Sequence, residues 1–326
     1  MATAIVSDAD RAAPSVQPAA PVVTCYSAVD KLFSACGLVD LTEGMYRGDP
    51  ATPYETAQAN QHHYLLDEVR LGAGGRLLDI GCGYGTLLER ARQRGARGIG
   101  ITLTPVQVKH CRRRGLDVRL LDYRDAPAAW DRTFDAVIAN GSMEHFLLPQ
   151  DVAEGRADDV YRHVFATVHR LIDPESTARR LATTAIHVLR PPSNPRALLA
   201  NPLRLRRGSD DFHWAVVQQG WGGGYYPELG QLERCAAGYF ELVAEVDGTE
   251  DYLLTSEEWL RQVREVIFSR RGAWIGVKSL PVACRAPQQY LTLLLGFLAS
   301  QSWNWQFRPP NPPTRLLRQT WEYRAR

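Results

Sequence analysis

The run DIGCGYG, residues 79–85, spaces three glycines as Gly81-Cys82-Gly83-Tyr84-Gly85 and sets an acid, Asp79, two places ahead of the first. Glycine lets a backbone come close to a ligand, and the helix start that follows offers free N–H groups. The spacing sorts the possible ligands. A dinucleotide loop reads Gly-x-Gly-x-x-Gly, and a P-loop continues into Gly-Lys-Ser/Thr; neither is present. A carboxylate at the end of the strand suits a ligand with an amine and a sulfonium better than a pyrophosphate.

Such a loop needs a strand and a helix to hold its ends. Short apolar strands are predicted at 76–80, 98–101, 118–121, 134–139, 181–188 and 240–246, with helices at 86–94, 105–114 and 152–171. That alternation predicts an α/β fold with a mostly parallel sheet covered on both faces. Residues 26–75 read as helical, with Ala57, His62, Leu65, Leu66 and Val69 near one face, and GAGG at 72–75 ends the segment. Two longer stretches, 190–235 and 250–300, follow late strands, where insertions can form a lid over the strand ends. Residues 1–24 are Ala- and Pro-rich and predict a disordered tail, not a signal peptide.

Composition excludes more than it selects. A net charge of +2 gives no overall pull toward nucleic acid, and the arginines at 112–114 and 204–207 read as solvated helix faces. The six cysteines are scattered without metal-site or disulfide spacing, so neither a metal nor a disulfide framework is expected, and reduced thiols point to the cytoplasm. The longest apolar run, YLTLLLGFLA at 290–299, is too short to span a bilayer. A soluble cytoplasmic protein with no integral membrane segment is expected, its oligomeric state left open.

DIGCGYG resembles the S-adenosylmethionine (SAM) loop of class I methyltransferases. Further segments narrow the resemblance to the cyclopropane fatty acid synthase and mycolic acid cyclopropane synthase family. GIGITLTPVQ (98–107) is similar to its G-V-T-L-S-x-x-Q run, and LLDYRD (120–125) to L-x-D-Y-R-D. NGSMEHF (140–146) resembles S-x-G-x-F-E-H. TTAIHVL (183–189) carries a histidine after the fifth strand, and EDYLLTSEEW (250–259) resembles H/D-Y-x-x-T-L-x-x-W. QYLTLLLGFLASQSWNWQF (289–307) is similar to the final helix and strand.

The resemblance implies a Rossmann-like class I methyltransferase sheet with N-terminal helices and helical lids. A cap would cover 25–75 and the methyltransferase domain 76–326. It implies SAM as cofactor, leaving as S-adenosylhomocysteine (SAH), held by Thr42, Asp79, Gly81, Gly83, Thr102, Leu103, Gln107, Asp122, Tyr123 and Asn140. Asp122 would accept from the adenine amino group, with Tyr123 against the ring. Family members hold bicarbonate as a base through a cysteine, a glutamate, a histidine and a tyrosine; Glu144, His187 and Tyr252 match the last three. His145, beside Glu144, would point elsewhere on an extended backbone.

This chain departs from the family at the cysteine, where Glu43 stands, preceded by Leu41 and Thr42. Bicarbonate beside a further carboxylate would be repelled, so Glu43 either points away or takes the anion's place. Leu294 replaces a second cysteine, and GWGGGYYPE (220–228) replaces F-P-G-G-x-L-P-S. The expected function is SAM-dependent methyl transfer to an alkene-like carbon of an apolar small molecule, isoprenoid or acyl chain, by way of a carbocation. The alternatives are N- or O-methylation of a specialised metabolite and a non-catalytic SAM-binding or scaffolding role. Nucleic-acid methylation is disfavoured: no basic stripe and no N/D-P-P-Y/F motif accompanies the site.

Overall fold

Leu77 and Leu78 are adjacent, and both are fully buried, on opposite faces of one strand. A strand whose successive side chains are both apolar must be covered twice. The computed structural model, which describes residues 34–325 apart from 35, 196–197, 199–200, 222, 286, 288–289 and 292–300, meets that demand. Its sheet has seven strands: β1 (Arg76–Ile80), β2 (Arg97–Thr102), β3 (Asp117–Leu120), β4 (Ala136–Asn140), β5 (Arg180–Val188), β6 (Phe240–Asp247) and β7 (Thr314–Tyr323). Their order is β3-β2-β1-β4-β5-β7-β6. The first five are parallel, and β7 runs antiparallel between β5 and β6. The order reverses between β1 and β4, and that switch point opens a crevice at the carboxyl ends of the strands.

One face of the sheet gathers Leu77, Ala136, Ile138 and Ala182 under α1 (Tyr54–Glu68), α2 (Thr86–Gln93) and α3 (Pro105–Arg113). The other gathers Leu78, Ile80, Val137, Ala139 and Leu181 under a later helix. The single helix expected at 152–171 is two, α4 (Pro149–Ala153) and α5 (Ala157–Leu171), broken where Gly155 takes φ +72°. In the first late insertion lie α6 (Asp210–Gly220) and α7 (Gln231–Ala236); in the second, α8 (Thr249–Ile267) and α9 (Arg270–Arg285). A short α10 (Ser302–Trp305) precedes β7.

Two expectations are corrected. Residues 301–308 hold no strand; the closing strand lies at Thr314–Tyr323, and Arg318 and Gln319 interrupt the apolar pattern that would have marked it. Within 26–75 the described helix proper is Tyr54–Glu68, while 38–53 runs irregularly inward. The tail at 1–24, Leu294 and most of the 290–299 run fall outside the described residues. Among the described residues no helix is long and apolar enough to cross a membrane, and no group of three His, Cys, Asp or Glu could hold a metal ion.

The inward segment is tied to α8 and β7. Gly44 N donates to Thr255 Oγ1 at 2.9 Å, and Tyr46 N donates to Asp251 Oδ1 at 2.8 Å. The β7 register that serves this tie is fixed on the other face by Trp321, fully buried, which donates from Nε1 to Thr183 Oγ1 at 2.9 Å and meets Phe165 edge-on. Trp321→Ala should cost about 3–5 kcal/mol in urea unfolding, because the wall around it is built from strands that cannot collapse inward. A loss below 1 kcal/mol would show that β7 is not held there.

Candidate active site

A cavity of about 580 Å³ opens at the carboxyl ends of β1, β2, β4 and β5. All ten expected donor-site residues line it: Thr42, Asp79, Gly81, Gly83, Thr102, Leu103, Gln107, Asp122, Tyr123 and Asn140. Gly81 and Gly83 take φ +80° and +51°, a region glycine alone enters freely. A Cβ on Gly81 would lie 2.6 Å from that of Ser142, whereas one on Gly83 would meet nothing within 4 Å, so Gly83 borders open space. Behind the loop, Cys111 Sγ donates to Gly83 O at 3.6 Å, and Cys82 is buried beside Gly100.

Asp79 Oδ2 is buried without a hydrogen-bond partner. Burial, then the charge of Asp40, pushes this carboxyl up to about 8. A buried orphan acid beside an open glycine cradle fits a ligand that brings a positive charge. Thr102 Oγ1 donates to Gln107 Oε1 at 2.6 Å, which orients the amide and leaves its N–H groups to offer. Asp122 caps the turn Tyr123–Asp125: its Oδ1 accepts from Arg124 N and Nε, each at 2.9 Å, and its Oδ2 from Arg124 Nη2 at 2.6 Å. An adenine amine at Asp122 would therefore share oxygens with Arg124. Tyr123 packs against Phe146 with ring centroids 4.6 Å apart.

The acceptor end holds two further buried acids. Glu144 sits in the tight turn Met143–His145 after β4, where its Oε1 accepts from Ile186 N at 2.8 Å and its Oε2 has no hydrogen-bond partner. Glu43 turns inward and its Oε1 accepts from Gln61 Nε2 at 2.6 Å. Burial pushes Glu43 up to about 7, with the Arg318 guanidinium pulling it back, and Glu144 up to about 8, with Glu43 adding to the rise. Both carboxyls are thus raised chiefly by burial, well above the usual carboxylate range.

Of the four expected catalytic residues, Glu43, Glu144 and Tyr252 line the cavity and His187 does not. Side chains alternate along β5: Ile186 lines the cavity and Thr184 Oγ1 donates to Asn140 Oδ1 at 2.7 Å, while His187 takes the opposite face. There it is fully buried, its Nδ1 shares a hydrogen bond with Ala185 O at 3.0 Å, and burial pulls it down to about 4. The polar β5 residue that reaches Glu43 is Thr184. His145 lines the cavity after all, because its backbone is a turn rather than extended.

Tyr252 stacks on Phe307 at 4.6 Å and stands edge-on to Trp259 and Trp303 at 6.0 and 5.8 Å. Trp221 completes this aromatic wall, 4.7 Å from Trp303. The segment carrying Trp221 comes close to Glu144: Tyr225 N donates to Leu147 O at 2.7 Å, and a Cβ on Gly224 would collide with Glu144 O. The sequence reading missed Thr184, Gln61 and Arg318. For Arg318 a signal exists, a cation amid the apolar residues of RLLRQTW; for Gln61, in a polar stretch of helix, none does.

Residues 35–273 match the family model described as mycolic acid cyclopropane synthetase. A probable fatty acid methyltransferase of Pseudomonas putida is 40% identical over 109 residues, 31% of this chain; the match spans only 27% of that protein. The structure of the cyclopropane synthase MmaA2 from Mycobacterium tuberculosis superposes with a TM-score of 0.67 at 19% identity, over 94% of this chain and 99% of the other. Geranyl diphosphate C-methyltransferase from Streptomyces coelicolor A3(2), in complex with Mg2+, geranyl diphosphate and SAH, gives 0.62 at 16% identity, over 95% and 99%. At these identities the structural likenesses establish a class I methyltransferase fold.

Two outcomes follow from the geometry. Gly83→Trp should abolish SAH binding in calorimetry, since the new side chain would enter the cradle; unchanged affinity would remove the loop from the donor site. The buried acids also set a pH dependence. Glu144 holds its proton more tightly folded than unfolded, so its contribution to stability falls as pH rises from 4.5 through about 8. Glu144→Gln should therefore raise the melting temperature above that range by a few degrees while leaving it nearly unchanged in acid. An equal shift at every pH would contradict this.

Proposed function

The chain belongs to the mycolic acid cyclopropane synthetase family, and from that premise we propose a SAM-dependent methyltransferase that acts on an alkene-like carbon of an apolar acceptor, an isoprenoid or an acyl chain. SAM, when bound, supplies an electrophilic methyl group carried on a sulfonium. The observation that carries the reading is one cavity with an orphan acid beside a glycine cradle at one end and two buried carboxyls within an aromatic wall at the other.

Each part has a task on this reading. Asp79 and the glycine loop hold the donor, with Thr102, Gln107, Asp122 and Asn140 around it. The described part of 25–75 forms a cap, the methyltransferase domain begins at 76, and the described parts of 190–235 and 250–300 act as lids. Trp221, Tyr252, Trp259 and Trp303 line the acceptor end with rings, which exclude water and present negative faces to a carbon gaining positive charge.

Glu43 supplies a fixed anion at that end and a group to take the departing proton, with Glu144 beside it. A pair whose charges oppose each other, one pulled down by Arg318 and one not, separates into a form ionised near neutrality and a form still protonated. Glu43 thus does from within the chain what relatives are expected to do with a recruited bicarbonate. His187, facing away, takes no part.

The acceptor is found by incubating the protein with methyl-labelled SAM and lipid or isoprenoid extracts, then following the label by mass spectrometry onto carbon, nitrogen or oxygen. With an acceptor in hand, Glu43→Gln should cut turnover by ~10²–10⁴-fold with SAH affinity nearly intact. Wild-type activity should not respond to added bicarbonate, and Glu43→Cys should create such a response. Stimulation of the wild type by bicarbonate, or full activity in Glu43→Gln, would sink the assignment.

A further inference from the structure

Arg318 is wholly buried in β7, directly across from Thr184 in the β5 register, and does not line the cavity. Its Nε donates to Gln61 Oε1 at 2.6 Å, its Nη1 to Asp251 Oδ2 at 2.8 Å and its Nη2 to Gly44 O at 3.0 Å. Room for it is kept by Gly248, where a Cβ would collide with Nη1. Two helices and the neighbour of Glu43 therefore converge on one cation that stays outside this cavity.

We propose that Arg318 fixes the polarity of the Gln61 amide and, through it, the charge state and orientation of Glu43, so that Gln61 and Arg318 are positioning residues for the acceptor end. A glutamine amide can present either its oxygen or its N–H2 to a neighbour. A guanidinium only donates, so the Gln61 oxygen must face Arg318 and the Gln61 N–H2 must face Glu43. The amide then offers Glu43 a donor at 2.6 Å, which favours the carboxylate over the acid. Without the guanidinium the amide is free to turn and offer its oxygen to a protonated Glu43, and the same pair of side chains would favour the opposite charge state. The contact from Arg318 to Gly44 O holds the backbone on which Glu43 rides, so orientation and ionisation are set by one group.

The charged and titratable groups facing Glu43 are Arg318 from β7, Asp251 from α8, Glu144 from the turn after β4 and Tyr54 from α1. Asp251 opposes ionisation, as burial does, Arg318 favours it directly as well as through the amide, and Glu43 in turn raises Glu144.

The inference rests on the reading of Glu43 as the acceptor-end carboxylate, but its test needs no acceptor. The full-length protein is followed by infrared difference spectroscopy, and the protonated-carboxyl band that Glu43→Gln removes is titrated against pH. The wild type should show a midpoint near about 7. Gln61→Leu should move it up by about 1–2 pH units, the loss of a hydrogen bond to a charged acceptor. Arg318→Met should move it at least as far, and the double variant no further, because the two act in series. If Arg318→Met does not fold by near-ultraviolet circular dichroism, Gln61→Leu decides. Once an acceptor is known, the acid limb of the pH–rate profile should shift upward in parallel while SAH affinity holds. An unmoved Glu43 midpoint in folded Gln61→Leu, or shifts that add in full, would overturn the proposal. Absence of methyl transfer with the midpoints shifted as expected would instead overturn only the functional reading.

Discussion

A fully buried guanidinium is tolerable only if every direction in which it donates finds an acceptor, and the structure is arranged around that demand at Arg318. Its acceptors come from α1, α8 and the inward segment at 38–53, none of them neighbours in sequence. Removing Asp251 leaves the charge uncompensated in the interior, and removing either neutral acceptor leaves a buried N–H without its partner. The cap, the second insertion and the closing strand are thereby locked to one another, and the wall of the cavity that carries Glu43 is defined by the same lock. Packing alone would not give this: α1 is only weakly amphipathic, with Gln61 and His62 buried beside Leu65 and Leu66.

Against that satisfied centre stand three buried acids, two of which are not satisfied. Asp79 and Glu144 each leave a buried oxygen without a hydrogen-bond partner, and Glu43 lies close enough to Glu144 to raise it. Buried in a cavity that also carries Trp221, Trp259, Trp303 and Phe146 on its walls, they are screened by water less than at a surface. A fold that selection tuned for stability alone would replace these groups with apolar ones. All three line one cavity, and Arg318 is held just outside it.

Most of the sheet was legible in the sequence because β1 to β5 are short apolar runs separated by clear helical periods and glycine turns. The donor loop was legible for a sharper reason: left-handed glycines at 81, 83 and 85 leave a spacing no other residue could imitate. β7 escaped because Arg318 and Gln319 face groups from elsewhere in the fold, so its pattern records tertiary partners rather than a half-buried strand. His187 misled because a histidine in an apolar strand reads as a site residue whichever face it takes, and here it takes the face away from the cavity. Thr184 and Ile186 occupy the face toward the cavity, and neither has a side chain that announces chemistry. Glu43 was visible only as a departure from the resemblance, and its inward course depended on Gly44, where a Cβ would lie 2.7 Å from that of Ala57.

The thiols behind the donor loop carry a last implication. Cys82 is held well above the ordinary thiol range by burial, and Cys111 is pushed up to about 11 for the same reason, with Asp79 adding to both. Oxidants and electrophiles attack the thiolate, which neither residue forms at neutral pH. The sulfur atoms therefore act as compact apolar filler against Gly83, Gly85 and Gly100. At neutral pH these two sulfurs offer peroxide no thiolate to attack, and the packing behind the loop does not draw on their redox chemistry.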